Sequence, residues 1–200
     1  MKTQNLAFLF SFCNLIGVFP LLGLQGVYRP NRYEEWIDSI QQEPFKHSVS
    51  GILFTIAVFC GLSLGVLLIT EHKRLWSGLC LAVGSALNGL TTMFPFLLSQ
   101  MIFDRNVGMI MLAIALLADS AYNLFLGLTM ILEGRFLRSE GYQKQGTAGI
   151  IIGILTIPVA TQCLFEEGAL WLGIAGPAWI VWWVLWGRIQ RSIESKSSCV

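Results

Sequence analysis

The chain has 200 residues, 54% of them hydrophobic and only 12% charged, with a net charge of +1 and a mean hydropathy of +0.65. That charged share is about half the roughly 25% of soluble globular domains, so too few ions are present to clothe a water-soluble fold of this size. The near-neutral chain is not expected to have a nucleic-acid partner, and its solvent is expected to be the lipid bilayer.

The charges are segregated into short connections between apolar runs of about 20 residues, the length that crosses a ~30 Å hydrocarbon layer at 1.5 Å per residue. Residues 6–27 give a first span containing Pro20. Its short polar start also suits a signal peptide, but the run is long and no Ala-x-Ala-type cleavage site follows, so an uncleaved helix is expected. Residues 28–48 form the longest connection. Asn31 is expected to cap a short helix there, with Glu34 three positions on completing a capping-box-like start. Tyr33, Trp36, Ile37 and Ile40 then share one face, while Glu34, Glu35, Asp38, Gln41 and Gln42 take the other, until Pro44 ends the helix. Such an amphipathic helix suits the membrane surface or the mouth of a bundle.

Further spans are expected at residues 49–70, 75–98, 107–132, 146–165 and 169–187. They are joined by the turn Glu71-His72-Lys73-Arg74, by Asp104-Arg105-Asn106, by a polar loop over 133–145 and by Glu166-Glu167-Gly168. A polar tail follows at 188–200. With six spans, nine Lys and Arg residues fall on the side of both termini and four on the other, which places the termini in the cytoplasm by the positive-inside rule. The fold expected is therefore all-α: a polytopic integral membrane six-helix bundle of a plasma or bacterial inner membrane, with N- and C-termini cytoplasmic and a short amphipathic helix in the first outer loop.

Asp119 is the one charged side chain expected well inside a span. An ionised carboxylate there costs about 2.5–3.5 kcal/mol on the insertion scale, and no Lys, Arg or His lies within any expected span to balance it. Asn123 lies one helical turn on, and Asn88 and Asn14 fall at similar depth in spans three and one. Gly84, Asn88, Thr91 and Pro95 share a face. The expectation is a polar midplane site lined by Asn14, Asn88, Asp119 and Asn123 for a cation, a proton or a small polar solute. The alternative is interhelical hydrogen bonding around a neutral carboxylic acid.

Gly61-Leu62-Ser63-Leu64-Gly65 has the letters of a nucleophile elbow but lies in a helical run with no histidine base nearby. It reads as a Gly-x-x-x-Gly packing face, as do Gly149 and Gly153. The cysteines at 13, 60, 80, 163 and 199 show no Cys-x-x-Cys and suggest packing rather than disulfides or metal. No catalytic residue, metal or cofactor is expected. Trp179, Trp182, Trp183 and Trp186, with Trp171 at the other end of the last span, read as an aromatic belt. In size and layout alone, the chain is similar in outline to the substrate-binding subunits of energy-coupling-factor vitamin transporters; that similarity rests on no motif and implies no residue role. The function expected is a small solute- or cation-binding or transport component. The alternative is a non-catalytic membrane assembly protein docking a partner through the Gly61/Gly65 or Gly149/Gly153 faces, with a lipid-modifying enzyme third.

Overall fold

The computed structural model describes residues 3–197, apart from the side chains of residues 166–172, 174, 196 and 197. Glu166, Glu167, Trp171 and Cys199 therefore fall outside the described side chains. Within that range there are seven α-helices and two 3-10 segments, and no strand: α1 (Thr3–Val18), α2 (Tyr33–Gln42), α3 (Pro44–Thr70), α4 (Leu75–Gln100), α5 (Arg105–Ser139), α6 (Gln143–Thr156) and α7 (Glu166–Ser197), with 3-10 segments at Phe19–Leu21 and Ile157–Thr161.

Prolines set several boundaries, because proline lacks the N–H that continues a helix and clashes with the preceding turn. Pro20 ends α1 earlier than the expected span 6–27 and starts the first 3-10 segment. The chain then turns through Gly23, Gly26, Tyr28 and Asn31, all with positive φ. Gly26 is required there: at φ 72° a Cβ would stand 2.5 Å from the Trp36 nitrogen and 2.6 Å from the Arg32 oxygen. Asn31 is consequently in the left-handed region and does not cap α2. The N-cap is Arg32, and no side chain bonds to the helix start. Pro44 suits the first turn of α3, where no N–H is needed, so this helix begins at Pro44 rather than near residue 49.

Helix α5 is capped by Asp104, whose carboxylate accepts from the Asn106 and Val107 nitrogens at 2.9 and 3.2 Å. It runs for 35 residues, so most of the expected loop 133–145 is helical. Its buried face continues through Leu126, Met130, Glu133 and Leu137 at helical spacing. Pro158 converts the end of α6 into a 3-10 segment. Helix α7 instead carries Pro177 within it and continues to Ser197, so residues 188–197 of the expected tail are helical.

Six of the helices form a closed ring in which α1 touches α3, α3 touches α4, then α5, α6, α7 and back to α1. Helix α2 lies across one end. Its Trp36, Ile37 and Ile40 are buried against Leu98, Leu112 and Leu116 of α4 and α5, while Asp38 on its polar face pairs with Arg105 at 3.0 Å. Among the described residues, five helices or helix-plus-3-10 segments are long and apolar enough to cross a membrane: Thr3–Leu21, Pro44–Thr70, Leu75–Gln100, Arg105–Ser139 and Gln143–Thr161. Large apolar side chains such as Ile52, Phe59, Val66, Ile110, Leu117 and Ile151 point outward, as expected where the surroundings are hydrocarbon.

Small residues let the helices approach. A Cβ on Gly65 would meet the Gly78 oxygen at 2.8 Å across the α3–α4 contact. On the α5–α6 hairpin a Cβ on Gly127 would meet the Gly153 oxygen at 2.8 Å, and one on Gly134 the Gly146 oxygen at 2.6 Å. Gly61 faces Ser85 and Phe10, and Gly149 faces Trp182. The Gly61/Gly65 and Gly149/Gly153 faces are thus filled by the chain's own helices. Trp179, Trp182, Trp183 and Trp186 are a correction to the belt expected from sequence. All four are buried, because their spacing places them on a single face of α7, which packs on α1. Phe10 meets the Trp183 ring edge-on at 5.7 Å, and Trp183 meets Trp186 at 4.9 Å.

Two alanine substitutions in mid-helix should have opposite effects. Gly153→Ala puts a Cβ 2.6 Å from the Gly127 oxygen and should destabilise by about 1–3 kcal/mol through overpacking. Gly89→Ala meets only Val58, at 3.7 Å, and should stabilise by up to ~1 kcal/mol through helix propensity. Thermal unfolding in a mild detergent reads both signs.

Candidate functional site

Asp119 sits midway along α5 and is 8% exposed. Asn123, one turn later, donates from Nδ2 to the Asp119 Oδ2 at 3.2 Å and to its backbone oxygen at 2.8 Å. Gln162 donates from Nε2 to the same Oδ2. Among the described residues no hydrogen bond reaches Oδ1. Gln162 arrives because Pro158 stops α6: the chain tightens into the 3-10 segment, and the Gln162 nitrogen closes it onto the Val159 oxygen at 3.0 Å. The next residue is anchored too, since Ser120 Oγ accepts from the Cys163 nitrogen at 3.2 Å while donating to the Leu116 oxygen at 3.0 Å.

This carboxylate borders a cavity of about 370 Å³. All four residues expected from sequence line it: Asn14 from α1, Asn88 from α4, and Asp119 and Asn123 from α5. They share the space without forming one network. Asn14 donates back to the Phe10 oxygen at 2.8 Å, and only Asn123 bonds to Asp119. Gly84, Asn88, Thr91 and Pro95 are all buried, as their shared face requires. The remaining walls are largely aromatic and aliphatic, with Tyr28, Phe54, Tyr122 and Trp179 closest in chemical interest. Among the described residues, no Lys, Arg or His belongs to the lining. Tyr28, brought in by the connection between α1 and α2, packs on Trp36 with ring centroids 5.2 Å apart. Burial first, and then the negative charge of Asp119, hold its hydroxyl above the ordinary phenol range.

A second polar centre was not anticipated. Glu133, assigned from sequence to a loop, is 0% exposed within α5. Its Oε2 accepts from Arg74 Nη1 and, at 2.9 Å, from the Trp186 indole nitrogen. Arg74 Nη2 also donates to Gln190 Oε1 at 2.9 Å, and its guanidinium lies 3.3 Å over the Phe136 ring. The centre ties the α3–α4 turn to α5 and α7. Beside it, Thr3 donates to Glu194 at 2.8 Å and His72 lies 3.5 Å from the same carboxylate. Burial, followed by the Arg74 charge, holds His72 below its ordinary value. Two charged side chains besides Asp119 are therefore largely buried. The signal in the sequence was the unbroken buried-face spacing from Leu126 to Leu137. Gln162 was missed because its stretch read as continuous helix; a polar residue four positions after a proline was its only trace.

Comparison with protein-family models, curated proteins and solved structures found no match.

The chemistry available differs at the two centres. Glu133 is neutralised by Arg74 and takes a second hydrogen bond from Trp186, which makes it a fastener. Asp119 is held only by amides and faces a cavity, so it is the group with chemistry left to offer. Arg74→Met should cost about 3–5 kcal/mol by stranding a buried carboxylate, whereas Arg74→Met combined with Glu133→Leu should recover most of that loss. A double-mutant cycle of detergent melting curves checks it.

Proposed function

We propose that the protein is a multi-pass membrane component that binds, and in transport carries, a small cationic or polar solute at a midplane site centred on Asp119. The observation that carries the reading is a buried carboxylate at the edge of a cavity with amide donors and, among the described residues, no basic partner and one oxygen that no hydrogen bond reaches. In hydrocarbon surroundings an ionised carboxylate needs a counter-charge. A carboxylate whose role was fastening would be held as Glu133 is, by a cation.

In this reading α7, 32 residues long, makes the sixth crossing, and closure of the six-helix ring supports that count. Both termini then lie in the cytoplasm with nine of the 13 Lys and Arg residues, and α2 covers the outer mouth. The bilayer is a plasma or bacterial inner membrane. The alternative of a partner-docking assembly protein would have to use a surface other than the two glycine faces, which the chain's own helices occupy.

In detergent, methylammonium chloride at saturating concentration should raise the melting temperature of the native protein by several degrees through preferential binding to the folded state. Asp119→Asn, which keeps the shape and removes the charge, should abolish that rise while remaining folded. An unchanged rise in the variant ends the proposal. Topology is checked separately. A reporter inserted after Glu140 should register cytoplasmic and one after Phe103 external; the reverse pattern overturns the orientation.

A further inference from the structure

We infer that the ligand of this cavity is an amphipathic ammonium, an amine head on Asp119 carrying an apolar tail, and that it enters sideways from the bilayer between α1 and α7. The inference rests on the cation-binding reading of Asp119 and adds the ligand's class and route.

The cavity lining is of two chemical kinds. One is polar: Asp119 and the three asparagines, with the phenols of Tyr28 and Tyr122. Aromatic faces next to a carboxylate are the surroundings that hold an organic ammonium, through charge pairing and cation–π attraction. Tyr122 Oη and Trp179 Nε1, both on lining residues, are buried without a hydrogen-bond partner. The other is apolar: Leu15, Val18, Phe19 and Leu22 from α1 and the chain directly after it, with Ile180 and Pro177 of α7. A bare inorganic cation would engage the polar groups and leave the apolar ones without a contact, whereas about 370 Å³ is the space of roughly a dozen waters at ~30 Å³ each, enough for a short alkyl chain as well as a head.

Part of the apolar lining is exposed. Phe19 is 58% and Leu22 62% exposed although both line the cavity, so the wall runs continuously onto the surface that faces hydrocarbon. The opening has a cause in the sequence. Pro20 breaks α1 at this level, and α7 presents Gly173, Gly176 and Pro177 opposite. A Cβ on Gly173 would meet nothing within 4 Å, so a side chain can be built into the opening without displacing backbone.

The test is isothermal titration of the purified chain in dodecyl maltoside with methylammonium, hexylammonium and hexyl sulfate. Hexylammonium should bind about tenfold or more tighter than methylammonium, because its five extra methylenes are buried, and hexyl sulfate should not bind. Asp119→Asn should lose both amines. Gly173→Phe should lose most of the chain-length preference. Equal affinity of the two amines, binding of hexyl sulfate comparable to hexylammonium, or an unaltered preference in a folded Gly173→Phe overturns the lateral, amphipathic reading while leaving cation binding standing. If neither amine binds the native protein, the cation reading of Asp119 falls, and this inference with it. Should Gly173→Phe fail to fold, the amine comparison on the native protein decides.

Discussion

The structure depends on how a carboxylate is kept inside a helical bundle that offers it almost no water. The chain does this twice, by opposite means. Glu133 has a full counter-charge in Arg74 and further donation from Trp186, and three helices are fastened around it. Asp119 has only the dipoles of Asn123 and Gln162, and instead of a packed surround it has an aromatic-walled space. Burying a charge without a partner is unfavourable, and this contrast between the two carboxylates is what the proposed binding role of Asp119 rests on. The ring of helices, the glycine contacts that tighten it and the short cross-helix α2 all serve to hold that space.

Much of this was legible in the sequence, for a physical reason. Hydropathy and helical periodicity report burial within one element, and they gave the all-helical, membrane-compatible class and the polar inward positions Asn14, Asn88, Asp119 and Asn123. What they could not report is which element a polar residue meets. Gln162 reaches Asp119 only because Pro158 turns the chain, and Glu133 is buried only because Arg74 arrives from a turn 59 residues earlier. Low hydropathy put Glu133 in a solvent-facing loop, while Gln162 was absorbed into an apolar run that read as one unbroken helix. The tryptophans failed in the opposite sense: aromatic residues near the end of an apolar run suggest an interfacial belt, but four on one face of α7 form a packing stripe.

Local backbone breaks do as much as long helices to shape the cavity. Pro20 shortens α1 and frees the connection that brings Tyr28 inward past Gly26. Pro158 ends α6 in time to deliver Gln162. Each proline removes a helical hydrogen bond and turns the chain so that a polar or aromatic side chain comes inward at mid-height, a position that an uninterrupted helix could fill only with what its own face carried.

Closure of the ring between α1 and α7 bears on the order in which the molecule is assembled. The Thr3–Glu194 hydrogen bond joins residues 191 positions apart, among the longest-range contacts in the fold, and Phe10 is covered by Trp183 only when both are present. Biosynthesis delivers α1 before α7. Until α7 has been made, the aromatic face of α1 has no cover and Asp119 stands in an unclosed crescent of helices. Arrival of α7 and formation of the cavity are therefore one event, and a nascent intermediate must be shielded along that seam by lipid or by the insertion machinery.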